Sequence, residues 1–167
     1  FLCQSDASWG QHYVGVARRP ARGSPMVKVR DEGVFDASIE KIWKYLGDET
    51  PGIHNHRSIV GSRTVENRGS EMVFEWEMRN PDGRTTRKET WRMAMNPPTG
   101  FEMESLSGVS KGTKYVNRYT SMGAKTRVDV DGDFRMQGMD DASTRKAALG
   151  FLAEVFDEDN AALKKYK

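Results

Sequence analysis

Cysteine is almost missing from this chain. Its single copy, Cys3, stands near the start, so residues 26–167 hold no thiol. That stretch therefore has no disulfide, no thiolate nucleophile and no Cys-type zinc site. A reducing compartment suits such a chain, and a cytoplasmic location is expected. Long apolar runs are missing as well. None approaches the roughly 18–20 residues that a membrane-spanning helix requires, so no integral membrane association is expected. An excess of one charge is also lacking: 26 basic and 24 acidic residues leave a net charge of +2. Arg18, Arg19 and Arg22, against Asp6 alone, account for that surplus, and the rest of the chain is neutral. A neutral body lacks the electrostatic footprint of a duplex or RNA binder, so no nucleic-acid partner is expected. Histidine is scarce, limited to His12, His54 and His56.

What is present is a charged, polar-surfaced sequence of single-domain size, 167 residues long, with 30% charged residues and a mean hydropathy of −0.73. Residues 1–25 have no sustained periodicity, no Met at position 1 and no apolar signal region. Pro20, Gly23, Ser24 and Pro25 read as linker. This stretch is expected to be a disordered leader or a non-native extension, with a transit peptide as the weaker alternative. The domain is expected to span 26–167.

From Val27 the chain alternates as a strand. Asp36 or Ser38 can cap a short helix, in which Ile39, Ile42, Trp43 and Leu46 share one face up to Gly47. Pro51 and Gly52 mark a turn before G-I-H-N-H-R-S. Six strands are then expected in hairpin succession. The clearest period of two is E-M-V-F-E-W-E-M-R, with Met72, Phe74, Trp76 and Met78 on one face. N-P-D-G at 80–83 is a tight-turn signal. Trp91, Met93 and Met95 continue the apolar face, followed by Phe101, Met103, Tyr115, Asn117 and Tyr119, then Val128, Val130 and Phe134. Asp140 and Asp141 cap a long final helix from Ala142 to about Tyr166, with Leu149, Leu152, Phe156 and Leu163 as its apolar stripe. The expected order is a strand, two short helices, the hairpin series and one long helix. Grouped strands and helices of this kind indicate α+β with an antiparallel sheet.

V-F-D-A-S-I-E-K-I-W-K-Y-L, the hairpin N-P-D-G-R-T and the closing helix A-S-T-R-K-A-A-L-G-F-L-A-E-V-F together resemble the START-like, or SRPBCC, superfamily. That group includes the birch-pollen-allergen-like proteins and the polyketide cyclase/dehydrase and lipid-transport families. The resemblance implies a helix-grip fold, in which a curved antiparallel sheet of six to seven strands wraps the long C-terminal helix. It also implies a cavity for a hydrophobic ligand between them, but it carries over no catalytic motif.

The residues agree with that expectation. The inward face is built of large, soft side chains, and nine methionines suit an adaptable apolar lining. Glu89, Ser105, Asn117 and Thr126 fall at inward parity, where a dry core would penalise them without partners. A register slip of one residue would turn all of them outward. The expected ligand-binding residues are Phe74, Trp76, Glu89, Trp91, Met93, Phe101, Tyr115, Asn117, Tyr119, Leu152 and Phe156. The candidate catalytic residues are His54, His56, Glu89 and Tyr115.

H-x-H on an extended segment points both imidazoles to one side. Loop histidines, polar groups of a ligand site and metal ligands all remain open readings. No third protein ligand is evident, and no metal or cofactor is expected. The favoured function is a carrier or sequestering protein for a lipid, isoprenoid or polyketide-like compound. One alternative is a cyclase or dehydratase acting on a polyketide-like carbonyl substrate. Another is a protein-interaction module such as a chaperone activator, and transient contact with a membrane surface or a protein is compatible with each.

Overall fold

The computed structural model describes residues 26–167, and the expected leader at 1–25 lies outside the described residues. In chain order the elements are β1 (Val27–Phe35), α1 (Ile39–Leu46), β2 (Ile59–Asn67), β3 (Glu71–Arg79), β4 (Thr86–Asn96), β5 (Gly100–Ser105), β6 (Lys114–Met122), β7 (Lys125–Phe134) and α2 (Asp141–Lys165). The strands form one antiparallel sheet in the order β1-β7-β6-β5-β4-β3-β2, so β1 and β2 are its edges. Strands β2 to β7 are consecutive neighbours, and β1 closes against the last of them. This is the α+β helix-grip arrangement.

Local chemistry explains the element boundaries. Ser38 Oγ accepts from Lys41 N at 3.3 Å and starts α1. Asp140 Oδ1 accepts from Ser143 N at 2.7 Å and starts α2. Between β3 and β4, Asp82 Oδ1 accepts from the backbone amides of Arg84 and Thr85 at 2.8 and 2.9 Å, fixing the N-P-D-G turn.

One α-helix follows β1, where two were expected. Pro51 has no N–H to donate, and Gly52 takes the left-handed φ of 82°. The chain there makes only isolated turns, closed by Ile53 N to Thr50 O and Asn55 N to Gly52 O, each 3.1 Å.

The sheet face expected to be buried is buried. Phe74, Trp91, Met93, Met103, Tyr115, Val128 and Val130 form one core with Ala148, Leu152 and Leu163 of α2. Burying each large apolar side chain contributes about 1.5–3 kcal/mol. Trp91 stands opposite Phe74 on one side and Ser105 on the other, which fixes the register. In α2 the buried row is Thr144, Ala148, Leu152 and Leu163. Leu149, placed on the apolar stripe by the sequence, is exposed instead. It stands one position, about 100° around the helix, from Ala148, which has no exposed surface.

One glycine sets how closely β6 and β7 meet at the core. Gly132 pairs with Tyr115, and a Cβ there would lie 2.3 Å from Tyr115 Cβ. Only a glycine leaves room for the tyrosine at this point.

Candidate ligand-binding site

A cavity of about 250 Å³ lies between the second half of α2 and strands β1, β5, β6 and β7. Phe35, Leu46, Phe101, Val128, Leu152 and Phe156 supply much of its apolar wall. Its polar groups come from two elements. On β6, Tyr115, Asn117 and Tyr119 alternate and therefore share the inward face. Asp159 faces them from α2.

Most buried polar side chains in this fold are matched internally. Thr126 Oγ1 donates to Ala37 O at 2.9 Å, and Ser105 Oγ donates to Ser107 O at 3.1 Å. Glu89, with no exposed surface, accepts from Arg87 Nε at 2.9 Å. Asn117 and Tyr115 differ. They are 8% and 6% exposed and line the cavity, yet their side chains have no hydrogen-bond partner among the described residues. Their polar atoms line the cavity without a side-chain partner, so this wall keeps hydrogen-bonding capacity that a ligand can use.

Asp159 sits at the centre of a network joining α2 to α1 and the histidine segment. The Tyr45 hydroxyl lies 2.8 Å from Asp159 Oδ1 and 3.1 Å from Ile53 O. His56 Nε2 lies 3.6 Å from the same Oδ1, at ion-pair distance. His56 Nδ1 lies 3.1 Å from Glu158 Oε2, which also accepts from Arg57 N at 3.1 Å. Arg57 Nε donates to Glu158 Oε1 at 2.8 Å, and Ser58 N donates to Glu154 Oε1 at 2.8 Å. Three successive residues, 56 to 58, thus dock onto carboxylates of α2. Burial raises the Asp159 carboxyl above its ordinary value, with His56 and Tyr45 opposing the rise. Burial also raises the phenols of Tyr115 and Tyr119, and the nearby Asp159 charge adds to both shifts.

The two histidines take separate roles. His54 Nε2 lies 2.9 Å from Asp48 O, and its ring meets Tyr45 edge-on at 4.9 Å. His56 reaches the cavity only through Asp159. Neither lines it. Among the described residues, no group of three His, Cys, Asp or Glu side chains is arranged to hold a metal ion.

Of the other ligand-binding candidates, Phe101, Tyr115, Asn117, Tyr119, Leu152 and Phe156 meet in this cavity. Trp91 lines a second one, of about 600 Å³, with Ser58, Met78, Arg87, Met136 and Phe151. Ser58 Oγ and Trp91 Nε1 have no hydrogen-bond partner among the described residues. Phe151 lines both. Phe74, Trp76 and Met93 line neither. Trp76 packs at a tilt against both Phe74 and Trp91, at centroid distances of 5.1 and 5.2 Å. Glu89 lies under Gly108 with its Oε2 unpartnered among the described residues and lines neither cavity.

Asp159 went unnoticed in the sequence, but a signal for it exists. Leu152, Phe156 and Leu163 define a stripe at i, i+4 and i+11, and position 159 is its i+7 member. A carboxylate there interrupts an otherwise apolar face.

An open antiparallel sheet gripping one long helix, with an interior cavity between them, defines a START-like helix-grip protein. Residues 26–166 match the family described as polyketide cyclase / dehydrase and lipid transport, and the chain belongs to that family. No curated protein matches the sequence significantly. Similar solved structures include the di-domain aromatase/cyclase StfQ from the steffimycin biosynthetic pathway. It has a TM-score of 0.67 and 12% identity over 85% of this chain and 51% of StfQ, so the chain spans about half of that protein. The ZhuI aromatase/cyclase from Streptomyces sp. R1128 matches with a TM-score of 0.62 and 12% identity over 83% of this chain and 91% of its own. Ara h 8.0201 matches with a TM-score of 0.67 and 13% identity over 84% and 99%. At these identities the likeness concerns the fold alone. No helix among the described residues is long and apolar enough to cross a membrane.

Proposed function

We propose that this protein binds a hydrophobic small molecule between the sheet and α2, as a carrier or sequestering protein. One observation carries the reading. The cavity has apolar walls, and the buried polar side chains of Tyr115 and Asn117 present to it without internal partners. Apolar walls with a few convergent polar groups are the usual pattern of a small-molecule site. The test is native mass spectrometry of the full chain, together with binding of the neutral dye Nile red. A stoichiometric organic adduct, or saturable dye binding weakened by Asn117→Leu, is expected. A bare protein mass with no dye binding would overturn the reading.

A second reading, a cyclase or dehydratase acting on a carbonyl substrate, is favoured by the shared placement of Asp159, Tyr115 and Tyr119. His54, His56 and Glu89 are outside the cavity, so the base role moves to Asp159. A tyrosine hydroxyl is then the donor to the developing oxyanion. Turnover separates the two readings. An enzyme loses product formation in Asp159→Asn while a neutral substrate still binds, whereas a carrier forms no product at all.

A further inference from the structure

The charges around the first cavity are of one sign. Asp31, Glu32, Asp157 and Asp159 are among its lining residues, and no Lys, Arg or His is. Basic groups outside the lining pair with two of these carboxylates, Glu32 and Asp159, leaving Asp31 and Asp157 without an ion-pair partner among the described residues. Arg127 pairs with Glu32 and Asp129 on the outer side. Arg57 is committed to Glu158 and Glu154, at 2.8 and 3.7 Å. His56 is shared between Glu158 and Asp159. Even with His56 protonated, the three carboxylates of Glu154, Glu158 and Asp159 face two cations. Asp159 Oδ1 receives Tyr45 and His56, while Oδ2 has no partner among the described residues.

The walls beside these carboxylates are aromatic. Tyr119 is surrounded edge-on by Phe35, Trp43 and Phe101 at centroid distances of 6.4, 5.9 and 6.0 Å. Phe35 also packs on Phe156 at 4.6 Å. Aromatic faces with carboxylates and no competing base attract a cation both through the ring quadrupole and through charge. An anionic head group placed here would meet like charge in a partly desolvated site. Beside the acidic residues, Tyr115 and Asn117, both more than nine-tenths buried, line the same cavity without side-chain partners among the described residues.

Resting on the carrier reading above, we infer that the ligand is a hydrophobic cation. It is a protonated amine on an apolar body, with the nitrogen at Asp159 and the body against Phe101, Phe156 and Leu152. This excludes fatty acids and other anionic amphiphiles as the preferred class.

Isothermal titration calorimetry of the full chain near neutral pH, with n-octylamine, n-octanol and n-octanoate as matched probes, tests the inference. The amine is expected to bind about tenfold or more tighter than the alcohol, with the carboxylate weakest. Asp159→Asn is expected to erase the preference for the amine and leave alcohol binding in place. Because Asp159 also anchors Tyr45, Asp157→Asn at the rim is the second variant, expected to weaken amine binding severalfold while alcohol binding holds. If the alcohol binds as tightly as the amine, or the carboxylate binds best, the cationic inference falls and the cavity reading stands. If none of the three binds, the cavity reading falls and takes the inference with it.

Discussion

The Tyr45 hydroxyl lies 2.8 Å from Asp159 Oδ1, joining the short helix α1 to the cavity wall of α2 across 114 residues of sequence. The ring itself is 2% exposed and also meets His54 and Tyr166 edge-on. Tyr45→Phe keeps the packing and removes only the hydroxyl. It is expected to lower stability by about 1.5–3 kcal/mol, the cost of a lost hydrogen bond to a charged group. Urea unfolding is expected to show a lower midpoint with an unchanged slope. An unchanged midpoint would mean that the contact contributes nothing.

Gly33 on β1 faces the ring of Phe156. A Cβ there would stand 2.6 Å from Phe156 Cε2, so Gly33→Ala forces the ring to move. Overpacking of this kind costs about 1–3 kcal/mol. Since Phe156 lines the cavity, ligand affinity is expected to change as well. The double variant Gly33→Ala/Phe156→Leu is expected to recover part of the lost stability. Simple additivity in thermal unfolding would sink the steric account.

Arg87 and Glu89 form a pair in which the carboxylate has no exposed surface and the guanidinium side chain is 24% exposed. Arg87→Met leaves that carboxylate buried and alone, at an expected cost of about 3–5 kcal/mol. Glu89→Gln is expected to be milder, because the amide oxygen still accepts from Arg87. Denaturant titrations that rank the two variants the other way round would show that the buried charge is not the dominant cost.

Acid is expected to loosen the fold. Hydrogen bonds from Thr50 and then Tyr166 hold the Asp48 carboxyl down to about 2, below its ordinary 3.8. Asp36 is lowered by Lys125 and Lys164, Asp131 by Lys28 and Arg30, and Asp140 by the Ser143 amide. A carboxyl held low binds its proton less readily in the folded chain than in the unfolded one. The stability it contributes is therefore complete above about pH 4 and drains away toward about pH 2. Asp159, raised by burial, works in the opposite sense and favours the fold when protonated, but it is outnumbered. Urea midpoints at about pH 5 and about pH 3 are expected to fall with acid, and to fall less in Asp48→Asn. An equal fall in both proteins would remove Asp48 from the account.

The fold was legible because its signals are local. Alternation at Met72–Met78, the N-P-D-G turn, and the Ser38 and Asp140 caps each specify structure from a few neighbouring residues. The inward parity of Glu89, Ser105, Asn117 and Thr126 was also readable, since one correct register places all four. Their partners were not readable. Thr126 is matched by Ala37 O, 89 residues away, and nothing near Thr126 announces it. The same holds for His56, which meets α2 carboxylates across 102 residues. Period-two patterns separate inside from outside, but they do not tell packed core from cavity wall. Trp76 and Tyr119 therefore looked alike, although one packs into an aromatic cluster with Phe74 and Trp91 and the other lines a space.

Phe151 lines both the cavity beneath α2 and the more open groove beside it. One side chain on α2 thus borders both the cavity under the helix and the open groove beside it. Its size therefore bears on the space available on both sides at once, while no strand or turn depends on it. For this chain, the size class of its guest is a trait that can drift by point mutation while the architecture stays still.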